Sequence, residues 1–363
     1  MKNRLTKLLG IKHPIIQAPM AGGTTPPELI ASACNAGALG SLGAGYMSPD
    51  QIAEQIEAIR RLTDRPFAIN LFTYNPPSIE DFEQSKINKL ASSIGTYCAE
   101  LQIAAPTAAT AIPKYTLNDQ LEVILAKKIQ YFSFAFGIPT DDQIKVLKGA
   151  NVVLLGTATT TSEARQLQAA GVNVIVAQGS EAGGHRSTFT SSFEAAMIGS
   201  MALIPQVVDA VKVPVVAAGG IMDGRGLAAA LALGAEGVQM GTAFLLCDEA
   251  NVQGDYRKAI MSREAEETKI TSVFSGRPAR GIRNRFMDEM EAIADELLPF
   301  PLTDAMTKPM RAEARGRGLT DYINLWAGQA GRLAKPMSTA KLIESVSRDG
   351  QERLHVLAKI LRD

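Results

Sequence analysis

Short apolar runs alternate with longer amphipathic segments from His13 to about residue 245. Each run is rich in Val, Ile, Leu, Ala or Phe and stops after a few residues. Runs that are apolar on both faces are typical of buried parallel strands, and eight strand–helix units are the number that closes a barrel. The predicted strands are HPIIQAPM, ALGSLGAG, PFAINLF, YFSFAFG, NVVLLGTA, NVIVAQG, PVVAAGG and GVQMGTAF.

The segments between these strands carry helix boundary signals. Helix N-caps favour Ser, Thr or Asp, and glycine is common just beyond a helix end. Several segments begin with such a cap, and most end in Ala or Gly: TPPELIASACNAGA, SPDQIAEQIEAIRRLT, TDDQIKVLKGA, TSEARQLQAAG and DGRGLAAALALGA. The sequence therefore predicts an α/β fold of the TIM (β/α)8 barrel class.

Two stretches break the alternation. Residues 74–117 contain two adjacent prolines and the polar run EDFEQSKINKLASSIG, which indicates an insertion after the third strand. The last third of the chain predicts helices joined by loops at SGRPARG, PFPLTD and GQAGRLAKP. We therefore expect a cofactor-binding barrel over residues 1–248 and a mainly helical C-terminal subdomain over 249–363, packed near the barrel mouth.

Composition and charge narrow the class of partner. The chain has 37 Lys and Arg against 37 Asp and Glu, without a basic block, which argues against nucleic-acid binding. Its apolar runs are far shorter than the roughly 20 residues that span a bilayer. The three cysteines form no C-x-x-C pair, and the basic N-terminus lacks a cleavage site. We expect a cytoplasmic protein that acts on a small molecule.

Candidate chemistry lies in glycine-rich loops after the last three strands, where barrel enzymes place their active sites: AQGSEAGGHR, AAGGIMDGRG and QMGTAF. The last two loops are a common phosphate site. Gly219 and Gly220 would let the main chain approach an anion, while Gly241 and Thr242 would offer an amide and a hydroxyl. Tight turns are the alternative explanation. A dinucleotide fold is disfavoured, because no G-x-G-x-x-G follows the first strand.

His185 is the main candidate for proton transfer. Of the three histidines, His13 precedes a strand and His355 falls on the terminal helix, so only His185 lies in a loop of the catalytic face. It follows Gly183 and Gly184, and an unperturbed imidazole pKa of about 6.5 suits proton abstraction or donation near neutrality. The alternative is a histidine that only hydrogen-bonds its own loop.

Polar amides end two apolar strands. Asn70 ends the third strand and Gln178 the sixth, and a buried amide is costly unless it is paired. The polar edge of a flat heterocycle would pair them, and so would neighbouring loop backbone. Met20 could form a soft wall against such a ring or belong to the core.

Several catalytic signatures are absent from the sequence, which contains no G-x-x-x-x-G-K, H-E-x-x-H or G-x-S-x-G and no acidic cluster with metal-binding spacing. Metal and triad hydrolase functions are therefore disfavoured. In the C-terminal region, Trp326 is more typical of a packing anchor than of a ligand contact. We expect Lys308, together with Met20 and His185, to contact the substrate.

Together these motifs resemble the nitronate monooxygenase family, once called 2-nitropropane dioxygenases. The resemblance covers nearly the whole chain, and its C-terminal part is the one that points to nitronate oxidation. It implies FMN as cofactor and the oxidation of alkyl nitronates, such as propionate 3-nitronate, by O2 through a flavin semiquinone to a carbonyl compound and nitrite or nitrate. The motifs are QAPMAGG (17–23), GSLGAGY (40–46), FAINLF (67–72), AQGSEAGGHR (177–186), VVAAGGIMDGRGLAAALALGAEGVQMGTAFL (215–245), TKPMR and LWAGQ (325–329).

The resemblance also implies roles for matching residues. His185 would be catalytic. The expected FMN contacts are Ala18, Pro19, Met20, Asn70, Gln178, Gly183, Gly184, Gly219, Gly220, Gln239, Met240, Gly241 and Thr242. Two positions depart from the family pattern, since Phe300 replaces a tyrosine and Asp304 replaces another polar or aromatic side chain. The 74–117 insertion also fits the family pattern poorly. These departures flank the expected substrate pocket and bear on which nitronate is preferred.

Other functions share parts of this pattern. Flavin-dependent enoyl-acyl-carrier-protein reductases have the E-A-G-G-H loop but use NADH, and the lobe with LWAGQ counts against them. Inosinate-dehydrogenase-like enzymes have a similar phosphate loop, but no cysteine stands in GSEAGGHR to act as nucleophile. A third alternative is a flavin-binding sensor protein that does not turn over a substrate. A homodimer is the default expectation for assembly.

Overall fold

The computed structural model describes residues 1–74, 77–106 and 115–360. Residues 75–76 and 107–114 of the predicted insertion lie outside the described residues. The strands are β1 Ile15–Gln17, β2 Ser41–Gly43, β3 Ala68–Phe72, β4 Tyr131–Ala135, β5 Val153–Ala158, β6 Val174–Gln178, β7 Gly184–His185, β8 Val215–Ala218, β9 Gly237–Met240, β10 Thr268–Thr271 and β11 Ala279–Ile282.

Eight of these strands form a parallel barrel, which confirms the predicted fold class. Their order is β1-β9-β8-β6-β5-β4-β3-β2, and a parallel bridge between Ile16 and Leu39, just before β2, joins the two ends. Every predicted strand is present. The helices are α1 Arg4–Leu9, α2 Pro27–Asn35, α3 Pro49–Arg60, α4 Gln84–Glu100, α5 Leu117–Ala126, α6 Asp141–Gly149, α7 Thr161–Ala169, α8 Ser200–Ala210, α9 Gly224–Ala232, α10 Gly254–Met261, α11 Arg285–Glu289, α12 Leu302–Gly316 and α13 Thr339–Ile360.

Helix α1 closes the N-terminal end of the barrel. Asn3 caps it by accepting the Thr6 N–H, and its Leu5 and Leu9 are buried among side chains of the barrel interior. The Tyr131 hydroxyl donates to the Leu9 carbonyl at 2.8 Å. Because this end is filled, the opposite end, where the strands have their carboxyl termini, is the one available for a site.

The segments outside the repeat pack together over that open end. Helix α4 of the insertion lies against α12, with Ile87, Leu90 and Ile94 buried in the same apolar cluster as Met306 and Met310. After this lobe the chain returns to the barrel, because α13 packs on α2 and α9 through its buried apolar face. None of the helices among the described residues has the length and apolar character that crossing a membrane requires.

Besides its helices, the lobe contains a small antiparallel sheet in the order β10-β11-β7. β10 and β11 are four residues each and show no clear alternation of polar and apolar positions, so neither strand was predictable from the sequence. Their partner β7 belongs to the loop after β6. The sheet pairs Ala279 of β11 with His185 and thereby ties the barrel loop to the lobe.

Candidate active site

His185 is held by the lobe rather than by its own loop alone. Its Nε2 lies 2.9 Å from Ser275 Oγ, and the Ser275 hydroxyl donates to the Arg277 carbonyl at 3.0 Å. A hydroxyl has one hydrogen to donate. Because Ser275 donates it to a carbonyl, its oxygen can only accept a hydrogen bond from the imidazole. The hydrogen-bond network therefore assigns the ring hydrogen to Nε2 and leaves Nδ1 with a free lone pair.

Aromatic rings surround the imidazole. The His185 ring centre lies 5.7 Å from those of Phe136 and Phe300 and 5.6 Å from that of Trp326. Phe300 also contacts three further rings, which come from the loop after β2, the end of β3 and the loop after β3. We call the whole set the aromatic chamber: Tyr46, Phe72, Tyr74, Phe136, Phe300 and Trp326. Its members come from both barrel and lobe, so the chamber exists only when the two are packed together.

The environment keeps His185 neutral. Burial, followed by the positive charges of Arg277 and Arg311, lowers the pKa of His185 from 6.5 to about 3. The residue as a whole is only partly exposed. At neutral pH the side chain therefore carries no charge that could stabilise an anion before the anion binds.

Positive charge at the site comes instead from arginines around β7. Arg186, Arg277 and Arg280 donate to carbonyl and hydroxyl oxygens, and in the described part of the chain none of them has a carboxylate at salt-bridge distance. The Arg186 side chain is among the largest that are fully buried. Burial lowers the pKa of Arg186 and of Arg277 to about 10, so both stay charged at neutral pH.

A charged pair on α12 borders the chamber. Arg311 Nη2 lies 2.8 Å from Asp304 Oδ1, and both side chains are largely buried. Burial, and after it the negative charge of Asp304, raises the pKa of Tyr46 and of Tyr74 well above the usual value. The pair is internally neutralised, and both tyrosines stay protonated.

The turns after β8 and β9 offer free main-chain donors. Gly219 and Gly220 have φ of +106° and +71°, which side chains rarely tolerate. Among the described residues, the N–H groups of Gly219, Gly220, Gly241 and Thr242 meet no protein acceptor. The start of α8, in contrast, is filled, because the Ser200 N–H donates to the Glu181 carboxylate at 2.8 Å. The unused amides therefore belong to the two turns at which the sequence predicted a phosphate site.

Gly183 is where the loop after β6 meets the lobe. A Cβ at this position would lie 2.5 Å from the main chain of Ala327 and Gly328, so only glycine fits. The Gly328 N–H donates to Thr242 Oγ1 at 3.0 Å, and the Gln329 N–H donates to the Glu181 carbonyl at 3.0 Å. The LWAGQ segment thus links the glycine-rich loops that follow β6 and β9.

Both predicted amides bond within the protein, but only Gln178 ends its strand. Asn70 is the third of the five residues of β3, because Leu71 and Phe72 continue the pairing with β4, so the prediction that it ends the strand was wrong. Asn70 Nδ2 donates to Ser133 Oγ at 3.0 Å. Gln178 donates to the His185 carbonyl at 3.1 Å, and its Oε1 accepts from the Ser187 N–H and from Arg186, each at 3.0 Å. The loop-pairing alternative therefore describes Gln178 in this structure. A contact of either amide with FMN stays a prediction.

The remaining predicted residues fall into two groups. A Cβ on Gly241 would lie 3.7 Å from Ala18 Cβ and 3.9 Å from Met20 Sδ, so the ends of β1 and β9 are adjacent. Lys308 is exposed on the face of α12 opposite its buried residues. Its contact with substrate stays a prediction, as do FMN contacts by the residues that line the β1 and β9 ends and the β6 loop: Ala18, Pro19, Met20, Gly183, Gly184, Gln239 and Met240.

Several residues of the site escaped sequence reasoning. Ser275 and Arg277 lie in SGRPARG, which the sequence marked only as a loop, and they reach His185 through the pairing of β7 with β11. Phe136 had a usable signal, because it directly follows the fourth strand. Its φ of +76° is rare for a bulky residue and is typical of strained functional positions.

Comparisons with known proteins agree with one another. A profile of the nitronate monooxygenase family matches residues 2–349. A probable nitronate monooxygenase of Staphylococcus saprophyticus is 43% identical over 354 residues, which cover 97% of this chain and 98% of that protein. The solved nitroalkane oxidase of Streptomyces ansochromogenes has a TM-score of 0.89 and 38% identity, covering 97% and 99% of the two chains. The solved structure of FabK from Thermotoga maritima has a TM-score of 0.76 and 28% identity, covering 99% of each chain.

Proposed function

The chain belongs to the nitronate monooxygenase family, and from this premise we propose that it uses FMN and O2 to oxidise alkyl nitronates of the propionate 3-nitronate type. The products are a carbonyl compound and nitrite or nitrate. The observation that carries the proposal is buried positive charge, with no carboxylate at salt-bridge distance among the described residues, beside a neutral imidazole in an aromatic chamber. Such a site favours an anionic substrate over a neutral one.

The free amides after β8 and β9 suit the phosphate of FMN. Gly219, Gly220, Gly241 and Thr242 would hold it, because their N–H groups meet no protein acceptor among the described residues and glycine lets an anion approach the main chain. When bound, FMN supplies the electron transfer from nitronate to O2. Binding and orienting the substrate are left to the protein side chains.

The aromatic chamber and the arginines divide these tasks. The rings exclude water around His185, which strengthens every charge interaction inside the chamber. The positive charges of Arg186 and Arg277 stabilise the nitronate, whose negative charge would otherwise be costly to bury. Substrate binding therefore compensates for buried charge that the protein leaves without a carboxylate partner.

His185 responds to the substrate through Nδ1. A bound anion raises the pKa of a neighbouring imidazole, so nitronate binding and proton uptake at Nδ1 favour each other. The resulting imidazolium would donate to a nitronate oxygen while Ser275 fixes the other side of the ring. Against a neutral nitroalkane Nδ1 would have to act as a base, and with a pKa of about 3 it is a poor one.

The alternative function is NADH-dependent reduction of an enoyl thioester or a related acceptor. The similarity to FabK of Thermotoga maritima is the observation that supports this alternative function. The similarity to nitroalkane oxidase is greater in both TM-score and identity. Nitronate oxidation is therefore the function that we put forward first.

Oxygen uptake tests the proposal. Flavin-loaded protein is supplied with a pre-formed nitronate or with the same concentration of the neutral nitroalkane, and O2 consumption and nitrite release are recorded near neutral pH. We expect at least about tenfold faster turnover of the nitronate, because a base of such low pKa deprotonates the nitroalkane slowly. Free FMN is the control. No O2 consumption with any nitronate would refute the proposal.

A further inference from the structure

Arg277 differs from the other cations near the chamber. Its guanidinium carbon lies 4.0 Å from the centre of the Phe136 ring, and its charge acts on His185 and Tyr74. Arg311, by comparison, is paired with Asp304. Arg277 has no salt-bridge partner among the described residues. The carboxylate whose charge acts on it, that of Glu163, already accepts main-chain N–H groups of the loop after β7, so an anion in the chamber could bind Arg277 directly.

The hydrogen bonds of Arg277 leave donors unused. Its Nε donates to the Arg186 carbonyl at 3.2 Å, and its Nη2 donates to the Thr188 carbonyl. A guanidinium has five N–H groups in a planar fork. Within the described residues Nη1 has no acceptor, so the end of the fork is free. A planar fork with free donors matches a carboxylate better than any other side chain does.

The position of Arg277 suits the tail of a substrate rather than its reacting end. The ring of Phe136 contacts both the guanidinium and, at 5.7 Å between ring centres, the imidazole of His185. Both groups therefore border the same part of the chamber, so a molecule bound there with its reacting end at His185 could direct its other end to Arg277.

We propose that Arg277 determines specificity by binding a carboxylate at the far end of a short nitronate. This inference rests on the proposed function and deepens it, because it names the part of the substrate that is recognised and the residue that recognises it. The aromatic chamber would accept an uncharged alkyl tail as well, but only a carboxylate would use the free donors of Arg277.

The test compares two nitronates with three carbons each, propionate 3-nitronate and propyl-1-nitronate. In Arg277→Met we expect kcat/KM for propionate 3-nitronate to fall by about 10- to 100-fold, mainly through KM, because one charge-assisted contact is lost. The value for propyl-1-nitronate should fall by a clearly smaller factor, because this substrate loses the long-range positive charge of Arg277 but no contact with it. Arg277→Lys should recover part of the loss. Equal loss for both nitronates, or no loss for either, would overturn the inference.

Arg283→Met is the matched control, because it removes the same charge just after β11 from an exposed side chain paired with Asp288. It should leave both nitronates unchanged, which separates a local contact from a general effect of charge. Flavin content and far-ultraviolet circular dichroism check that each variant is folded.

A binding measurement separates this inference from the proposed function. Resting flavin-loaded protein is titrated with propionate under nitrogen, and the flavin absorbance reports binding. We expect Arg277→Met to weaken propionate binding by at least about tenfold. If no nitronate is turned over but this loss occurs, the proposed function fails and the carboxylate site stands. If nitronates are turned over and propionate binds equally to both proteins, the inference fails alone.

Discussion

His185 is a neutral imidazole in a positively charged surrounding. Burial lowers its pKa most, and the positive charges of Arg277 and Arg311 lower it further, so the ring stays neutral. Ser275 accepts from Nε2 and leaves Nδ1 as the nitrogen that can take up a proton. The residue is therefore suited to respond to an incoming anion rather than to attract it.

Replacing His185 tests its role directly. His185→Ala should retain FMN, because the free amides for the phosphate lie in the turns after β8 and β9. It should lose about 10²- to 10⁴-fold in nitronate turnover, the usual contribution of a positioned proton-transfer group. Flavin absorbance and O2 uptake measure the two properties. His355→Ala, on the exposed end of α13, is the control. Unchanged turnover in His185→Ala would refute the catalytic assignment.

The sequence identified His185 by elimination, since the other histidines fall outside the catalytic face. It did not identify Ser275 or Arg277. Both lie 90 or more residues beyond His185 along the chain, and an antiparallel pairing with a two-residue strand leaves no periodic pattern. Local chemistry was therefore predictable, whereas contacts made through the lobe were not.

At the scale of elements, the turns after β8 and β9 carry the amides, unpaired among the described residues, to which we assign the FMN phosphate. The strands were predictable because each is buried on both faces and reads as an apolar run. The same turns were predictable as glycine-rich loops at the end of the barrel where sites occur. The small sheet of β7, β10 and β11 was not, because four-residue strands without alternation give no signal.

Gly220→Val tests the turn after β8. The residue has φ of +71°, and its Cβ would lie 3.4 Å from Glu181 Cβ, so valine would force the turn away from its present path. We expect at least about a tenfold loss of FMN affinity, in line with the cost of backbone strain. The flavin-to-protein ratio after purification measures it.

Gly171→Val is the matched control for this substitution. It places valine at φ of +87° in the turn between α7 and β6, where its Cβ meets the end of the Lys148 side chain. The strain is similar, but this turn precedes a barrel strand and lies at the end opposite the proposed phosphate site. Full flavin content in Gly220→Val, or equal loss in both variants, would show that the phosphate site is misplaced.

At the scale of the whole molecule, the fold separates a stable barrel from a site assembled by its lobe. Helix α13 returns to the barrel and packs on α2 and α9, so the lobe is anchored at both ends. The chain has no net charge, yet the arginines around β7 concentrate positive charge beside the chamber. Composition alone could not reveal this, because it averages over charges that the fold brings together.

The measurement that tests the account most directly is anaerobic reduction of the bound flavin. Flavin-loaded protein is mixed without O2 with either propionate 3-nitronate or NADH, and the absorbance of oxidised flavin is followed. The account predicts rapid bleaching by the nitronate and little change with NADH. Rapid bleaching by NADH, with no response to the nitronate, would contradict it.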